Sequence, residues 1–545
     1  MAPIALCRAG QEGKIIVVPF GSTLRKSGLL ALIAISAASP GWCQLPCARC
    51  HPKETAGYAA TPMAHSLGAA KREPPGDFVH AASGSKFSVA WTNSRLVQRV
   101  EQNGSAQEYA ANYAIGSGVH AVGYLIELRG HLFQSPFCYY PQRGWGLAPG
   151  YETSSNPNFS RPVTPACLFC HSGLARPKQD TLNTYQDPPF EEEGIGCERC
   201  HGQAEAHLRS PVPGSIVNPA RLPDRARDSV CEQCHLIGEA RITNPGKQFA
   251  DFRAGQNLED MFSVYVYDGS LDASRPNPFR VISQSQELAL SQCWRKSGGR
   301  LWCGTCHDPH AQPSDPKTYF RGRCLTCHGA ALLKTHPKPN EDCVGCHMPR
   351  REVTDGAHTT FTDHRIARRL PIENLAEVPV EERKLVAWHE PPAEFGARNL
   401  GLAEVEVGEK LRSKSLTLAG MQGLISIWPK FQDDVPVLAA IGEVLFNVGE
   451  NEHSATAYEQ AIKLEPDVAT HYFHAAVAWH AAHDDTKAED RLEKALQLDP
   501  LLEQAYRLLG EIYFQAGERD RAQQTRQRYL EVFPGTAAAQ MSEQK

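Results

Sequence analysis

Methionine is scarce in this chain, at 6 of 545 residues, and no cysteine follows Cys346. The first shortage leaves thioether ligands almost out of play, so metal chemistry must rest on cysteine and histidine. The second marks a compositional boundary after about residue 370. Long apolar runs are also lacking: Gly28 to Ala38 is too short for a comfortable membrane span. Nor does one sign of charge dominate. The 56 Lys and Arg against 61 Asp and Glu give a formal charge of −5, which excludes the basic footprint of a nucleic-acid binder. A hydrophobic fraction of 41% and a charged fraction of 21% are ordinary soluble values. The excess lies in 18 cysteines and 22 histidines.

The N-terminus reads as an export leader over residues 1–43. Arg25 and Lys26 precede the Gly28–Ala38 run, and Ser39-Pro40-Gly41-Trp42 follows it. The expected location is periplasmic or extracellular, with no integral membrane span in the mature chain. Trp42 is too bulky for a lipid-attachment site at Cys43.

Cys-x-x-Cys-His occurs seven times: Cys47–His51, Cys167–His171, Cys197–His201, Cys231–His235, Cys303–His307, Cys324–His328 and Cys343–His347. The second cysteines are Cys50, Cys170, Cys200, Cys234, Cys306, Cys327 and Cys346. Zinc knuckles also use paired cysteines, but they do not need histidine directly after the second one. Covalent haem needs all three residues: two thiols for the vinyl groups and an imidazole for the iron. The expectation is seven haem c groups, each with its iron. Cys7, Cys43, Cys138 and Cys293 are left over, and a disulfide between Cys138 and Cys293 is an even expectation.

The second axial ligand separates a carrier from a catalyst. Once the seven motif histidines and six beyond the cysteine-rich half are set aside, nine remain. His80, His120, His207, His310, His336, His358 and His364 are the favoured distal ligands. His65 and His131 are reserves, and Met63 is a weaker option. Two imidazoles hold iron low-spin and leave no place for substrate.

The expected fold is an α-rich heptahaem cytochrome c domain over 44–370, with little regular structure and a small β segment. A linker over 371–394 leads to an all-α helical repeat domain over 395–545. The β segment rests on alternation in Lys86–Thr92 and Leu96–Val100 before an Asn103-Gly104 turn. Ala121–Leu128 and His131–Tyr140 form a second pair around Arg129-Gly130. The interval from Gln248 to Arg300 reads as a loop or an added surface element.

Pro466, Pro500 and Pro534 recur every 34 residues, each after an apolar helix end. Gly442 and Gly510 fall in register on that period, as do Ala461 and Ala495. Tyr506, Leu509, Gly510, Tyr513, Ala522 and Pro534 match the tetratricopeptide pattern. Three repeats are expected over about 435–536, preceded by a degenerate helix pair at 395–430.

These motifs, with CHDPH after Cys303 and HTTFTDHRI at 358–366, resemble the doubled-CxxCH multihaem cytochrome family. That family includes the tetrahaem electron carriers of nitrification. The similarity is strongest to its TPR-containing bacterial members and covers roughly 45–540. It implies haem c at all seven motifs and bis-histidine ligation at most of them, and it favours His310 and His364. The nitrite-reducing relatives use a CxxCK catalytic haem, which this chain lacks. The haem number and the repeat domain depart from the tetrahaem carriers.

The leading expectation is therefore electron transfer to redox partner proteins, with the repeats docking a protein partner. The alternative is an oxidoreductase acting on a small nitrogen or sulfur oxyanion at one five-coordinate haem.

Overall fold

Three tight turns order the first part of the folded chain. Asn93-Ser94, Asn103-Gly104 and Arg129-Gly130 all carry positive φ, from 50° to 82°. Two successive left-handed residues match the twist of the strands they join. The computed structural model describes residues 45–70, 73–270, 272, 279–338, 341–356, 358–368 and 383–533. The leader, Cys7, Cys43, Pro534 and residues 371–382 lie outside them.

Ten strands precede the second motif: β1 (Leu67–Ala69), β2 (Gly76–His80), β3 (Ser85–Thr92), β4 (Arg95–Gln102) and β5 (Ser105–Ala110), then β6 (Tyr113–Ile115), β7 (Val122–Leu128), β8 (His131–Tyr140), β9 (Gly144–Leu147) and β10 (Arg161–Pro162). β2 to β5 form an antiparallel meander. The second sheet runs β1-β6-β7-β8-β10, with β9 also on β8. The expected small β segment is thus two substantial sheets. Alternation explains them: Phe87, Val89, Leu96 and Val100 point into one core with Tyr124, Phe133 and Phe137.

Further on the chain forms β11 (Leu174–Pro177), β12 (Tyr185–Glu192), β13 (Ala240–Thr243), β14 (Phe262–Tyr267), β15 (Arg350–Glu352), β16 (Thr360–Thr362) and β17 (Leu385–Ala387). The Gln248–Arg300 interval contains β14, and every residue of β14 is buried. β14 sits between β13 and β17. Its Phe262 and Val264 face Phe169 and Leu236 beside the second and fourth motifs. Tyr265 and Tyr267 pack on the helices. Part of the expected linker is therefore a strand of this sheet.

Eight helices follow among the described residues: α1 (Gly396–Leu411), α2 (Lys414–Phe431), α3 (Val435–Asn447), α4 (Asn451–Leu464), α5 (Ala469–Ala481), α6 (Asp485–Leu498), α7 (Glu503–Gln515) and α8 (Arg519–Val532). Side chains of Ser413, Asp434 and Asp484 cap α2, α3 and α6. The 34-residue register is visible in the core: Leu438, Tyr472 and Tyr506 are all buried, as are Ala461, Ala495 and Tyr529. Ala476 stands between Gly442 and Gly510 on that register. At Gly442 a Cβ would come within 2.8 Å of the Tyr458 ring, so only hydrogen fits where α3 crosses α4.

Both ends of the helical run are tied to sheets. Asn399 Nδ2 donates to Asn244 Oδ1 (2.8 Å) and Ser263 Oγ (3.0 Å), and Arg398 Nη1 donates to the Thr243 carbonyl (2.8 Å). At the far end Arg129 Nη2 donates to the Glu531 carbonyl at 3.0 Å, and His131 Nε2 meets Asp499 Oδ1 at 3.1 Å. Among the described residues no helix is long and apolar enough to cross a membrane.

Candidate haem-binding centre

The motifs fold as helical turns, the fourth closing a helix over Asp224–His235 and the sixth inside one over Pro316–Thr335. The amides of His51, His201 and His307 donate to the carbonyls of Cys47, Cys197 and Cys303 at 2.8–2.9 Å. A Cys at i, a Cys at i+3 and a His at i+4 then share one face, as attachment to one macrocycle requires. The motifs also approach each other: Cys47 lies against Cys197, Cys170 against Cys234, Cys231 against Cys303, and Cys324 against Cys343.

Four motif histidines are each faced by a histidine from outside the motifs. His51 faces His207 at 6.4 Å between ring centres and 23° between planes. His201 faces His310 at 5.8 Å and 18°. His307 faces His364 at 6.2 Å and 31°, and His347 faces His336 at 6.1 Å and 69°. An imidazole–metal bond is about 2 Å. Two such bonds in line, plus roughly 1 Å from each nitrogen to its ring centre, give about 6 Å. The spacing fits one iron between each pair. Edge-on or twisted rings, as in the last pair, are compatible, because the imidazole can rotate about its bond to the metal.

The other ring nitrogens support that fit. A ligating nitrogen needs a free lone pair, which a proton on the opposite nitrogen secures. His201 Nδ1 donates to the Val217 carbonyl (2.8 Å), His347 Nδ1 to Ala367 (3.0 Å) and His364 Nδ1 to Thr362 (2.9 Å). His207 Nδ1 donates at 2.8 Å to Ser215 Oγ, whose own hydrogen goes to the Val212 carbonyl. Each Nε2 is thereby left as the bare nitrogen. His336 differs, since its Nδ1 accepts the Lys338 amide at 3.1 Å.

Burial favours the neutral ring at five histidines. It lowers the pKa of His171, His201, His235 and His364, and it brings His307 down to about 4, with His364 and His235 adding to the effect. Neutral imidazole is the form that binds metal. His171 Nδ1 is buried without a hydrogen-bond partner, and His235 Nδ1 reaches Gln284 Oε1 at 3.4 Å.

Three motif histidines, His171, His235 and His328, are not faced by a second imidazole at comparable distance among the described residues. Three of the seven favoured distal histidines have other company. His80 uses both ring nitrogens, on Ser83 Oγ (2.8 Å) and the Glu152 carbonyl (3.0 Å). His120 stacks on Phe361 at 4.2 Å and takes Arg350 Nη2 on Nδ1. His358 contacts Arg143 through Nδ1 and packs edge-on to Tyr140. Of the reserves, His131 anchors the sheet to Asp499, and His65 is exposed. Cys138 and Cys293 are both free thiols, so the disulfide expected between them is not formed. Burial pushes the Cys138 thiol up to about 12, whereas Cys293 lies near Cys327.

Sequence reasoning passed over the variable positions inside the motifs. Phe169, Arg199 and Gln233 each stand just before a second cysteine, and they interlock. Arg199 lies 4.3 Å over the Phe169 ring and donates to its carbonyl at 2.8 Å. Gln233 Nε2 donates to the Arg199 carbonyl at 3.1 Å. An arginine among the variable residues was the only visible signal.

Residues 151–202, which contain the second and third motifs, match the family model of cytochrome c554 and c-prime. The C-type polyheme cytochrome OmcC of Geobacter sulfurreducens is 24% identical over 166 residues, covering 30% of this chain and 20% of that protein. OmcB of the same species (strain DL-1 / KN400) is 26% identical over 159 residues, covering 25% and 20%. The chain thus matches a fifth of the length of these curated relatives. The seven CxxCH motifs and these relatives support a multihaem c-type cytochrome. Among solved structures, MamA is 21% identical over 25% of this chain and 79% of that one, with a TM-score of 0.23. MamA 41-end from Desulfovibrio magneticus RS-1 is 15% identical over 25% and 77%, also at 0.23.

Proposed function

We propose that this cytochrome carries electrons through seven covalently attached haems outside the cytoplasm, and that its C-terminal repeats dock a partner protein. The observation that carries this reading is the set of four facing imidazole pairs, each joining a motif histidine to one from elsewhere in the chain. Bound haem would supply the one-electron iron couple. The chain's residues fix the two thioether positions, hold Nε2 bare at His201, His207, His347 and His364 through their Nδ1 partners, and bring successive motifs together. His51–His207, His201–His310, His307–His364 and His347–His336 are the proposed axial pairs.

His80, His120 and His358 are proposed as second axial ligands of the haems held by His171, His235 and His328, and each would turn from its present partner to serve. The domain layout proposed is a leader over 1–43, a haem domain over 44–370, a connection over 371–394 and TPR-type repeats from 395. Eight consecutive helices with a 34-residue register support the last of these. Export is supported by the leader-like sequence and by the polyheme relatives.

The test is a haem count with electron paramagnetic resonance on the full chain matured in a haem-attaching host. Seven haems per chain with low-spin ferric signals at the four paired sites are expected, and one donor should reduce all seven. Fewer haems, or high-spin iron at the paired sites, would overturn the reading. A high-spin signal that binds nitrite would instead favour the oxyanion alternative.

A further inference from the structure

Resting on that reading, a second feature bears on how electrons are distributed within the chain. Arg241 extends from β13 into a box of aromatic rings, with its guanidinium 4.3 Å from the Phe262 ring centre, 5.0 Å from Phe249 and 5.5 Å from Phe169. Its Nη2 donates to the Gln233 carbonyl at 2.9 Å, and its Nη1 reaches Cys170 Sγ at 3.8 Å. Arg199, on the other side of Phe169, donates to the Phe169 carbonyl. The Nε of both arginines is buried without a hydrogen-bond partner. Among the described residues neither guanidinium is in an ion pair, whereas Arg225, Arg227, Arg280 and Arg398 all hold carboxylates.

Buried cations are normally paired, because desolvation costs far more than carbonyl contacts return. Two half-buried guanidinium groups held by carbonyls, sulfur and ring faces keep their positive charge at the site without a protein carboxylate in contact. The acid that senses Arg199 is Glu192. Its own carboxyl is pushed up to about 7, first by burial and then by Glu198, so it offers only partial compensation near neutral pH. The charge falls where the second, third and fourth motifs meet. Cys170 lies against Cys234, Arg199 belongs to Cys197–His201, and Gln233 belongs to Cys231–His235.

We propose that Arg199 and Arg241 form a partly buried cationic clamp that holds the haems of the second, third and fourth motifs at higher midpoint potential than the other four. Reduction takes Fe(III) to Fe(II) with one electron from an external donor and removes one positive charge. A fixed cation beside the site, in surroundings poor in water, therefore favours the reduced state. The clamp makes this junction the electron sink of the chain, which the outer haems fill first and drain last.

The test is a spectroelectrochemical titration of the full haem-loaded protein with its Arg241→Gln, Arg199→Gln and Arg241→Lys variants. In either Gln variant the reduced-to-oxidised ratio of the highest-potential components, at fixed applied potential, should fall about tenfold. That corresponds to about 59 mV for a one-electron couple. The lower components should stay in place, and Arg241→Lys should keep most of the wild-type value. The shift should survive high salt, because partly buried charge is screened much less than exposed charge. Unchanged components, a shift spread evenly over all haems, or one abolished by salt would overturn the proposal. If Arg241→Gln does not load haem, Arg199→Gln and Arg241→Lys carry the same test. Haem count and spin state are measured first, so failure of the electron-transfer reading is seen separately from failure of the clamp.

Discussion

His201 and His310 stand 5.8 Å apart between ring centres and within 18° of parallel, although 109 residues separate them in the chain. His201 is fixed by Val217 through Nδ1, and His310 directs its Nδ1 toward Asp308 at 3.6 Å. Replacing His310 with alanine removes the distal imidazole and leaves the motif intact. The haem count should hold at seven, while one low-spin ferric signal converts to high-spin and gains affinity for cyanide. An unchanged spectrum would remove His310 from the ligand set.

The motif at Cys343–His347 allows a stoichiometric check. Replacing both Cys343 and Cys346 with serine removes both thioether bonds there. Covalent haem should fall from seven to six per chain by the pyridine haemochromogen assay, with mass spectrometry of the denatured chain short by one haem. His336, which faces His347 at 6.1 Å, should lose its iron at the same time. A count still at seven would show that this motif is not an attachment site.

Much of this was legible because it depends on local chemistry. CxxCH is one helical turn, so the string itself carries the geometry. The Asn103-Gly104 turn and the alternation of Lys86–Thr92 are equally local, and both hairpin positions appear in the sheets. The pairing of His51 with His207 was not legible, because it depends on how distant turns come together around the haems. β14 escaped notice for a different reason. It is buried on both faces, so it shows no alternation. The company kept by His80, His120 and His358 was equally hidden, since Arg143 in a turn and Arg350 on β15 approach His358 and His120 from more than 200 residues away.

Glu287 links pH to the placement of His364. Its carboxylate receives Ser283 Oγ–H at 2.5 Å and the His364 amide at 2.8 Å. Burial nevertheless pushes its pKa up to about 7. The folded state therefore holds this proton more tightly than the unfolded chain, whose glutamate titrates near 4.5. The resulting stability is fully present below pH 4.5 and is lost as pH rises through 7. Glu287→Gln should flatten that dependence. The difference from wild type between pH 5 and pH 8, in urea unfolding of the loaded protein, should be at most about 3 kcal/mol. Parallel curves for the two proteins would rule out this role.

The tie between the haem domain and the repeats can be weighed at Asp434. Its carboxylate receives Arg398 Nε at 2.8 Å and Nη2 at 2.9 Å, and it also caps α3 through the Val437 amide at 3.1 Å. Arg398 is 1% exposed. Asp434→Ala would leave that guanidinium buried with only the Thr243 carbonyl and Asn399 Oδ1 as partners. Breaking a buried pair from one side costs about 3–5 kcal/mol, well above the ~1 kcal/mol of an N-cap alone. Asp434→Asn keeps an N-cap acceptor and a neutral hydrogen bond, so it should fall between the two. Urea unfolding followed by far-ultraviolet circular dichroism reads the helices, and the Soret band reads the haem domain. In Asp434→Ala helicity should be lost at lower urea than the Soret change, because the damage lies where α1 meets β13 and α3. Asp434→Ala within about 0.5 kcal/mol of wild type, the range of ordinary surface substitutions, would show that Asp434 is not needed to hold Arg398 against β13.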